Sequence, residues 1–270
     1  LYFGKRVHHE QDYAYLYEMS YRSMSSYVFE GDYSLSLEHV KQEYGGYGTT
    51  DFRRPAIEIL QQNGSRLCDF QYKSHEISKG KPKLCGLPAT YVESGDEAET
   101  LILTLEDSLT GVVLELLYTI FAQGGIIARS AKITNKGTEP LHLTTAMSLC
   151  MDLPDSDYEW LQFSGAWARE RHLKMRRLEQ GIQAVDSRRG HSSSQHNPFI
   201  VLKRPTADEF QGEVIGFSLV YSGNFLAQAE VDTYDTTRVL MGIHPMGFDW
   251  LLESGDAFQT PEAVMVYSGE

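Results

Sequence analysis

Cysteine is scarce in this sequence. The 270 residues include three, Cys68, Cys85 and Cys150, and none forms a CxxC pair. An odd, sparse set excludes a small scaffold stapled by disulfides and reads as reduced thiols in a cytoplasmic protein, with all three as small core residues. Basic residues are also few: 24 Lys and Arg face 37 Asp and Glu, a formal net charge of −13. A nucleic-acid binder needs a basic footprint, and an anionic membrane surface rewards Lys and Arg, so neither partner is expected. A neutral ligand such as a sugar suffers no such penalty. No apolar run approaches the roughly 18 residues of a membrane-crossing helix. The histidines are scattered: His8-His9, His172, His191 and His196 make neither HxH nor HExxH spacing, so neither a metal nor any other cofactor is expected. Ser222-Gly223 and Ser192-Ser193-Ser194 lack the GxSxG context of a nucleophile elbow. No signal peptide is visible. The chain opens on Leu1 rather than Met and stops at Glu270, just after a strand-like segment, so both ends read as cuts.

Helical periodicity is missing as well. No segment sustains an apolar repeat of 3.6, and the only candidate short helix is around Leu37 to Gln42. Strand grammar is plentiful instead, with 16 Tyr and 12 Phe adding β preference. Thr100 to Glu106 alternates, with Leu101, Leu103 and Leu105 on one face. Turn chemistry at Asp107 to Gly111, Gln123 to Gly125 and Asn135 to Gly137 separates it from strands at Val112 to Thr119, Ile126 to Thr134 and Leu141 to Ser148. Further strands are expected at Gly181 to Val185, Phe199 to Leu202, Val214 to Ser222, Phe225 to Val231, Arg238 to Ile243, Phe248 to Leu252 and Ala263 to Val266. Many short strands without intervening helices predict an all-β fold, two packed antiparallel sheets in one large sandwich with few short helices. No linker, repeat or low-complexity run divides the chain, which reads as one domain over residues 1–270.

Few residues carry an obvious chemistry. Asp152, Asp155, Asp157 and Glu159 cluster near Pro154, but they lack the mid-loop Gly and terminal Glu of an EF-hand, and a solvated loop with capping aspartates is the commoner reading. Glycoside hydrolysis needs two carboxylates flanking a sugar; acids are abundant here and none stands out. Asp51 and Arg53, in the segment Tyr47 to Pro55, read as a structural pair. Trp160 and Trp250 lie in strand-like settings and read as core. Trp167, between Ala166 and Ala168 after Gly165, is free of bulky neighbours. Its ring is either a buried plug, the commoner fate of a Trp, or a platform for the C–H face of a sugar.

Several segments together resemble glycoside hydrolase family 36, the bacterial α-galactosidases. They are YGTTDFRRPA (Tyr47 to Ala56), GLPATYVE (Gly86 to Glu93), DLPDSDYEW (Asp152 to Trp160), GAWARERH (Gly165 to His172), SRRGHSSSQHNPF (Ser187 to Phe199), GFSLVYSGNFLAQ (Gly216 to Gln228) and FQTPEAVMVYS (Phe258 to Ser268). They run in family order along essentially the whole chain. The resemblance implies an N-terminal β-supersandwich domain over residues 1–270, followed in the family by a catalytic (β/α)8 barrel and a C-terminal β domain, neither in this chain. It implies a parent enzyme that releases terminal α-galactosyl residues from oligosaccharides with retention. The two catalytic aspartates of the family belong to the barrel, so no catalytic residue is assigned here and the domain alone is expected to be inactive. The resemblance also transfers the family's sugar-lining Trp to Trp167, in a pocket completed across a subunit contact in tetrameric members. A second family contact, an Asp followed by Arg, has Tyr21-Arg22 as its nearest match here; the acid is replaced and the site is not transferred. The expected partners are an α-galactoside oligosaccharide, the parent's own barrel and further copies in a homotetramer. Two other readings remain open at this point: a free-standing carbohydrate-binding module, and a purely structural oligomerisation domain in which Trp167 never meets sugar.

Overall fold

The structure is a computed structural model that describes residues 31, 36–38 and 40–269. Sixteen strands follow one another: β1 (Ile57–Leu60), β2 (Phe70–Lys79), β3 (Ala98–Asp107), β4 (Val112–Phe121), β5 (Ile126–Asn135), β6 (Leu141–Leu153), β7 (Glu159–Ala166), β8 (Arg169–Arg177), β9 (Gly181–Ser187), β10 (His196–Lys203), β11 (Val214–Val220), β12 (Phe225–Val231), β13 (Thr237–Ile243), β14 (Trp250–Leu252), β15 (Ala257–Gln259) and β16 (Glu262–Ser268). There is no helix among the described residues. The helix expected near Leu37 to Gln42 is a turn at Leu37 and Glu38 followed by irregular chain at Lys41 and Gln42, because the Leu37 and Val40 carbonyls accept Arg53 Nη2 and Gln42 bonds to Asp152 and Asp51 instead of closing helical turns. The acidic-loop expectation also needs correction: the Asp152 side chain is buried on β6 and Glu159 opens β7, whereas Asp155 and Asp157 remain in the loop between them.

The strands form two sheets. One runs β1-β6-β13-β12-β9, with β14 also on β6; the other runs β2-β3-β4-β5-β16-β11-β10-β7-β8, with β15 also on β5. Every strand pairing is antiparallel. Period-two alternation sends one face of each sheet inward. Trp160, Phe217, Phe225, Leu149, Met151, Val239 and Met241 fill one core cluster; Ile57, Ile59, Leu114, Leu116, Ile133 and Leu143 fill the second. The meander β3-β4-β5 supplies Leu101, Leu103 and Leu105 to the rim of that second core, on the face their spacing predicts.

The outward faces are partly covered too. Asp152 and Arg238 stand opposite each other in the β6–β13 register, on the side away from the core residues Met151 and Val239. The segment Gln42 to Arg54 lies across them. Arg238 Nε and Nη2 donate to Asp152 at 2.7 and 2.8 Å, and Arg238 Nη2 lies 2.7 Å from Asp51. Arg53 Nε donates to Asp51 at 2.8 Å, and its Nη1 lies 3.2 Å from Asp152. Asp51 and Arg53 thus pair as expected, inside a four-member buried network that fastens the segment to the sheet. On the other sheet, Lys81 lies 2.6 Å from Glu262, and Thr90 donates to Glu262 through its N–H at 2.8 Å and its hydroxyl at 2.6 Å. These bonds hold the β2–β3 connection against β16.

Candidate functional site

Strands β7 and β8 form a hairpin whose turn is Trp167-Ala168, closed by the pair Ala166 and Arg169. The turn is tight for residues with side chains: Ala168 has φ 61° and Arg171 φ 59°, both in the left-handed region. The register shifts between Ser164 and Ala166, which places an extra residue on β8 in the manner of a β-bulge and turns the tip. Gly165 is required where it stands. A Cβ there would meet the Arg169 carbonyl oxygen and lie 2.8 Å from Glu170 Cα. Glu170 Oε1 accepts the Ala168 N–H at 2.9 Å and closes the tip on itself. The result is a stiff loop that carries Trp167 at 88% exposure. Trp167 is therefore not a core plug. Trp160 is, fully buried between the sheets, while Trp250 lies on β14 as a strand residue but is 48% exposed against Phe258.

All nine residues of β8 are exposed, as the edge of the ten-stranded sheet. They include Arg169, Arg171, His172, Lys174, Arg176 and Arg177, a basic strip on an acidic chain, with Leu173 and Met175 also exposed. Charged side chains of this kind protect an edge from indiscriminate strand pairing.

Three stretches distant in sequence meet at the same end of the sandwich: the loop Ser187 to Gln195, the turn Tyr221 to Asn224 and the turn His244 to Gly247. Gly165 N–H donates to Gln195 O at 2.9 Å, Ser192 N–H to Ser222 O at 2.8 Å, and Gly190 N–H to Asn224 Oδ1 at 2.6 Å. His244 N–H donates to Asn224 O at 3.2 Å. The His244 ring is fixed as well. Its Nδ1 accepts the Met246 N–H at 3.0 Å, so the proton is on Nε2, which donates to Asp186 at 3.0 Å. Burial holds the pKa of His244 below its ordinary value, with Arg188 adding to the effect against the opposing pull of Asp186. Below the hairpin tip, Trp160 Nε1 donates to Gln162 Oε1 at 2.7 Å, Gln162 Nε2 to Ser164 Oγ at 2.6 Å, and Ser164 Oγ lies 3.0 Å from His196 Nδ1. Sequence reasoning missed this relay and strands β2, β8 and β15, and marked β7 only by the strand-like setting of Trp160. The relay's only sequence signal is the alternation of Trp160, Gln162 and Ser164 on one face.

Chemically, this end offers an aromatic face and polar groups along a rigid rim. Its carboxylates are engaged: Asp186 by His244 and by Arg188 at 3.0 Å, and Glu170 by the tip backbone. That suits contact with a neutral polyol more than acid–base chemistry. The acidic residues Asp155, Asp157 and Glu159 pair with Arg204, Arg177 and Lys203 at 2.5, 2.8 and 2.7 Å and offer no open carboxylate pair. Among the described residues, no cluster of three potential metal ligands occurs. His8-His9 and Tyr21-Arg22 lie outside the described residues.

Comparison with known proteins gives one answer. The α-galactosidase AgaA of Geobacillus stearothermophilus is 53% identical over 249 residues, covering 92% of this chain and 34% of that protein. The α-galactosidase Mel36A of Lactobacillus acidophilus is 40% identical over 239 residues, covering 88% and 33%. The chain thus spans about a third of the length of the curated relatives it matches. The crystal structure of AgaA superposes with a TM-score of 0.96 at 51% identity, covering 100% of this chain and 38% of that one. The same enzyme, as a double variant in complex with raffinose, gives the same TM-score of 0.96. The family model described as the glycosyl hydrolase family 36 N-terminal domain matches residues 1–253. This chain belongs to glycosyl hydrolase family 36, as its N-terminal domain.

Proposed function

We propose that the protein carrying this domain is an α-galactosidase that releases terminal α-galactosyl residues from oligosaccharides such as raffinose, with retention, and that the domain contributes Trp167 to the sugar pocket. The observation that carries the domain's part is the exposure of Trp167 at the tip of a stiff hairpin. A buried indole gives no sugar access, and a floppy one costs ordering entropy on binding. In a homo-oligomer Trp167 of one copy completes the pocket of another; the basic edge β8 beside it, on a chain of net charge −13, suits a side-chain contact with the acidic surface of a second copy rather than strand pairing. Cys68 and Cys150 are buried as expected, but Cys85 is exposed rather than a core residue, and its free thiol suits a reducing, cytoplasmic setting.

The test is steady-state kinetics of the full-length protein on raffinose. Trp167→Ala raises KM roughly three- to tenfold, the range expected for one lost ring contact, and Trp167→Phe recovers part of it. An unchanged KM refutes the sugar contact. The excised domain turns over no aryl α-galactoside; turnover by it would refute the assignment of catalysis to the rest of the protein.

A further inference from the structure

We propose that Gln162, Ser164 and His196 are positioning residues that orient the Trp167 hairpin through a one-way hydrogen-bond relay anchored on the core residue Trp160. This rests on the reading of Trp167 as a sugar contact for its consequence, though not for its geometry. The hairpin tip is stiff within itself, so its direction is set where it leaves the sheet. On one side, β8 has no strand beyond it among the described residues. On the other, the β7–β10 ladder is interrupted: Gln162 pairs with Ile200 and Ser164 with His196, so the single intervening residue of β7, Phe163, faces three of β10, Asn197 to Phe199. Pro198 lies in that gap and has no N–H to give. The side-chain relay bridges the interrupted stretch and ties β7 to the start of β10 directly below the tip.

Its polarity is forced from the buried end. An indole N–H only donates, so the Gln162 oxygen faces Trp160 and its NH2 faces Ser164. Ser164, having accepted that bond, turns its own hydrogen to His196 Nδ1. His196 is then neutral with its proton on Nε2. Burial, aided by Arg176 and opposed by Asp186, holds its pKa below the ordinary value, in agreement with that state. A relay with one polarity holds one geometry, whereas a lone hydroxyl rotates freely.

The test uses full-length protein labelled with 5-fluorotryptophan, in which the resonances of Trp167 and Trp250 are assigned by single replacements. Ser164→Ala and His196→Phe are expected to shift or broaden the Trp167 resonance while Trp250, remote from the relay, reports an intact fold. Both variants raise KM for raffinose at least about threefold and by more than they lower kcat. His196→Asn, whose Oδ1 can accept the Ser164 hydroxyl, restores both signals. In a Trp167→Ala background, Ser164→Ala has no further effect on KM. An unmoved Trp167 resonance in both variants overturns the proposal, as does a moved resonance with KM unchanged while Trp167→Ala itself raises KM. If the resonance moves and Trp167→Ala also leaves KM alone, the positioning stands and the sugar contact fails.

Discussion

Replacing Arg238 by Met tests the buried charge network that fastens Gln42 to Arg54 across the six-stranded sheet. Arg238 is fully buried, and the side chains of Asp51 and Asp152 are each 1% exposed. The network sets two guanidinium groups against Asp51 and Asp152, with Asp232 at its margin 3.9 Å from Arg53. Removing one leaves Arg53 to serve both Asp51 and Asp152, with the three donor contacts at 2.7, 2.7 and 2.8 Å lost. Breaking a buried pair from one side costs about 3–5 kcal/mol, because the remaining charge cannot regain water. At about 2–4 °C per kcal/mol for a chain of this size, the unfolding midpoint falls by about 6–20 °C. The backbone of Gly45 adds to the effect: a Cβ there would lie 2.8 Å from Arg238 Nη1, so the loop is packed directly on the guanidinium. Urea unfolding followed by the fluorescence of buried Trp160 measures the loss. The double variant Arg238→Met with Asp152→Asn restores the charge balance and recovers part of it. A loss under about 1 kcal/mol, the range of surface pairs, would refute the reasoning, as would strict additivity of the two changes.

Three further outcomes follow from other sites. Lys81→Met leaves Glu262 buried without its cation, so stability drops by about 3 kcal/mol, and limited proteolysis cuts earlier within residues 80–97; an unchanged cleavage rate would count against the clamp. A thiol reagent near about pH 8 labels Cys85 quickly and the other two only on unfolding, because burial pushes Cys68 and Cys150 each up to about 11. His196 and His244 have folded pKa values below their ordinary 6.5, so the unfolded chain binds protons first as the pH falls. Their contribution is complete above that value and is lost progressively through the depressed ones, so the urea midpoint of the native protein drops more from about pH 7.5 to about pH 5.5 than that of His196→Asn with His244→Asn. Equal drops would remove both histidines from the account.

The meander β3-β4-β5 was legible because each strand alternates cleanly and each turn carries Gly or Asn. β8 was not. Arg169 to Arg177 has polar residues at nearly every position, so no face is marked as inward; an edge strand exposed on both sides needs no such mark. The hairpin tip carries no turn signal in the sequence, because Ala168 occupies the left-handed region that alanine ordinarily avoids. Asp152 was read as solvated along with its neighbours. Its burial depends on Gln42 to Arg54, a segment about a hundred residues upstream, and no local pattern encodes that coverage.

By itself, the sequence determined the all-β class of fold, the family and the identity of Trp167 as the residue of interest. Those follow from periodicity, turn chemistry and ordered motifs, which are local or linear properties. Only the tertiary structure decided which tryptophan meets solvent. Trp160 and Trp167 lie on the same strand and its turn, seven residues apart, yet one is sealed between two sheets and the other is held outside them. The difference arises from place: Trp160 is paired to Leu202 and packs in the core, whereas Trp167 stands in the turn beyond the last β7–β8 pair, Ala166 and Arg169. These are relations between strands far apart in the chain, and they exist only once the sheets have packed.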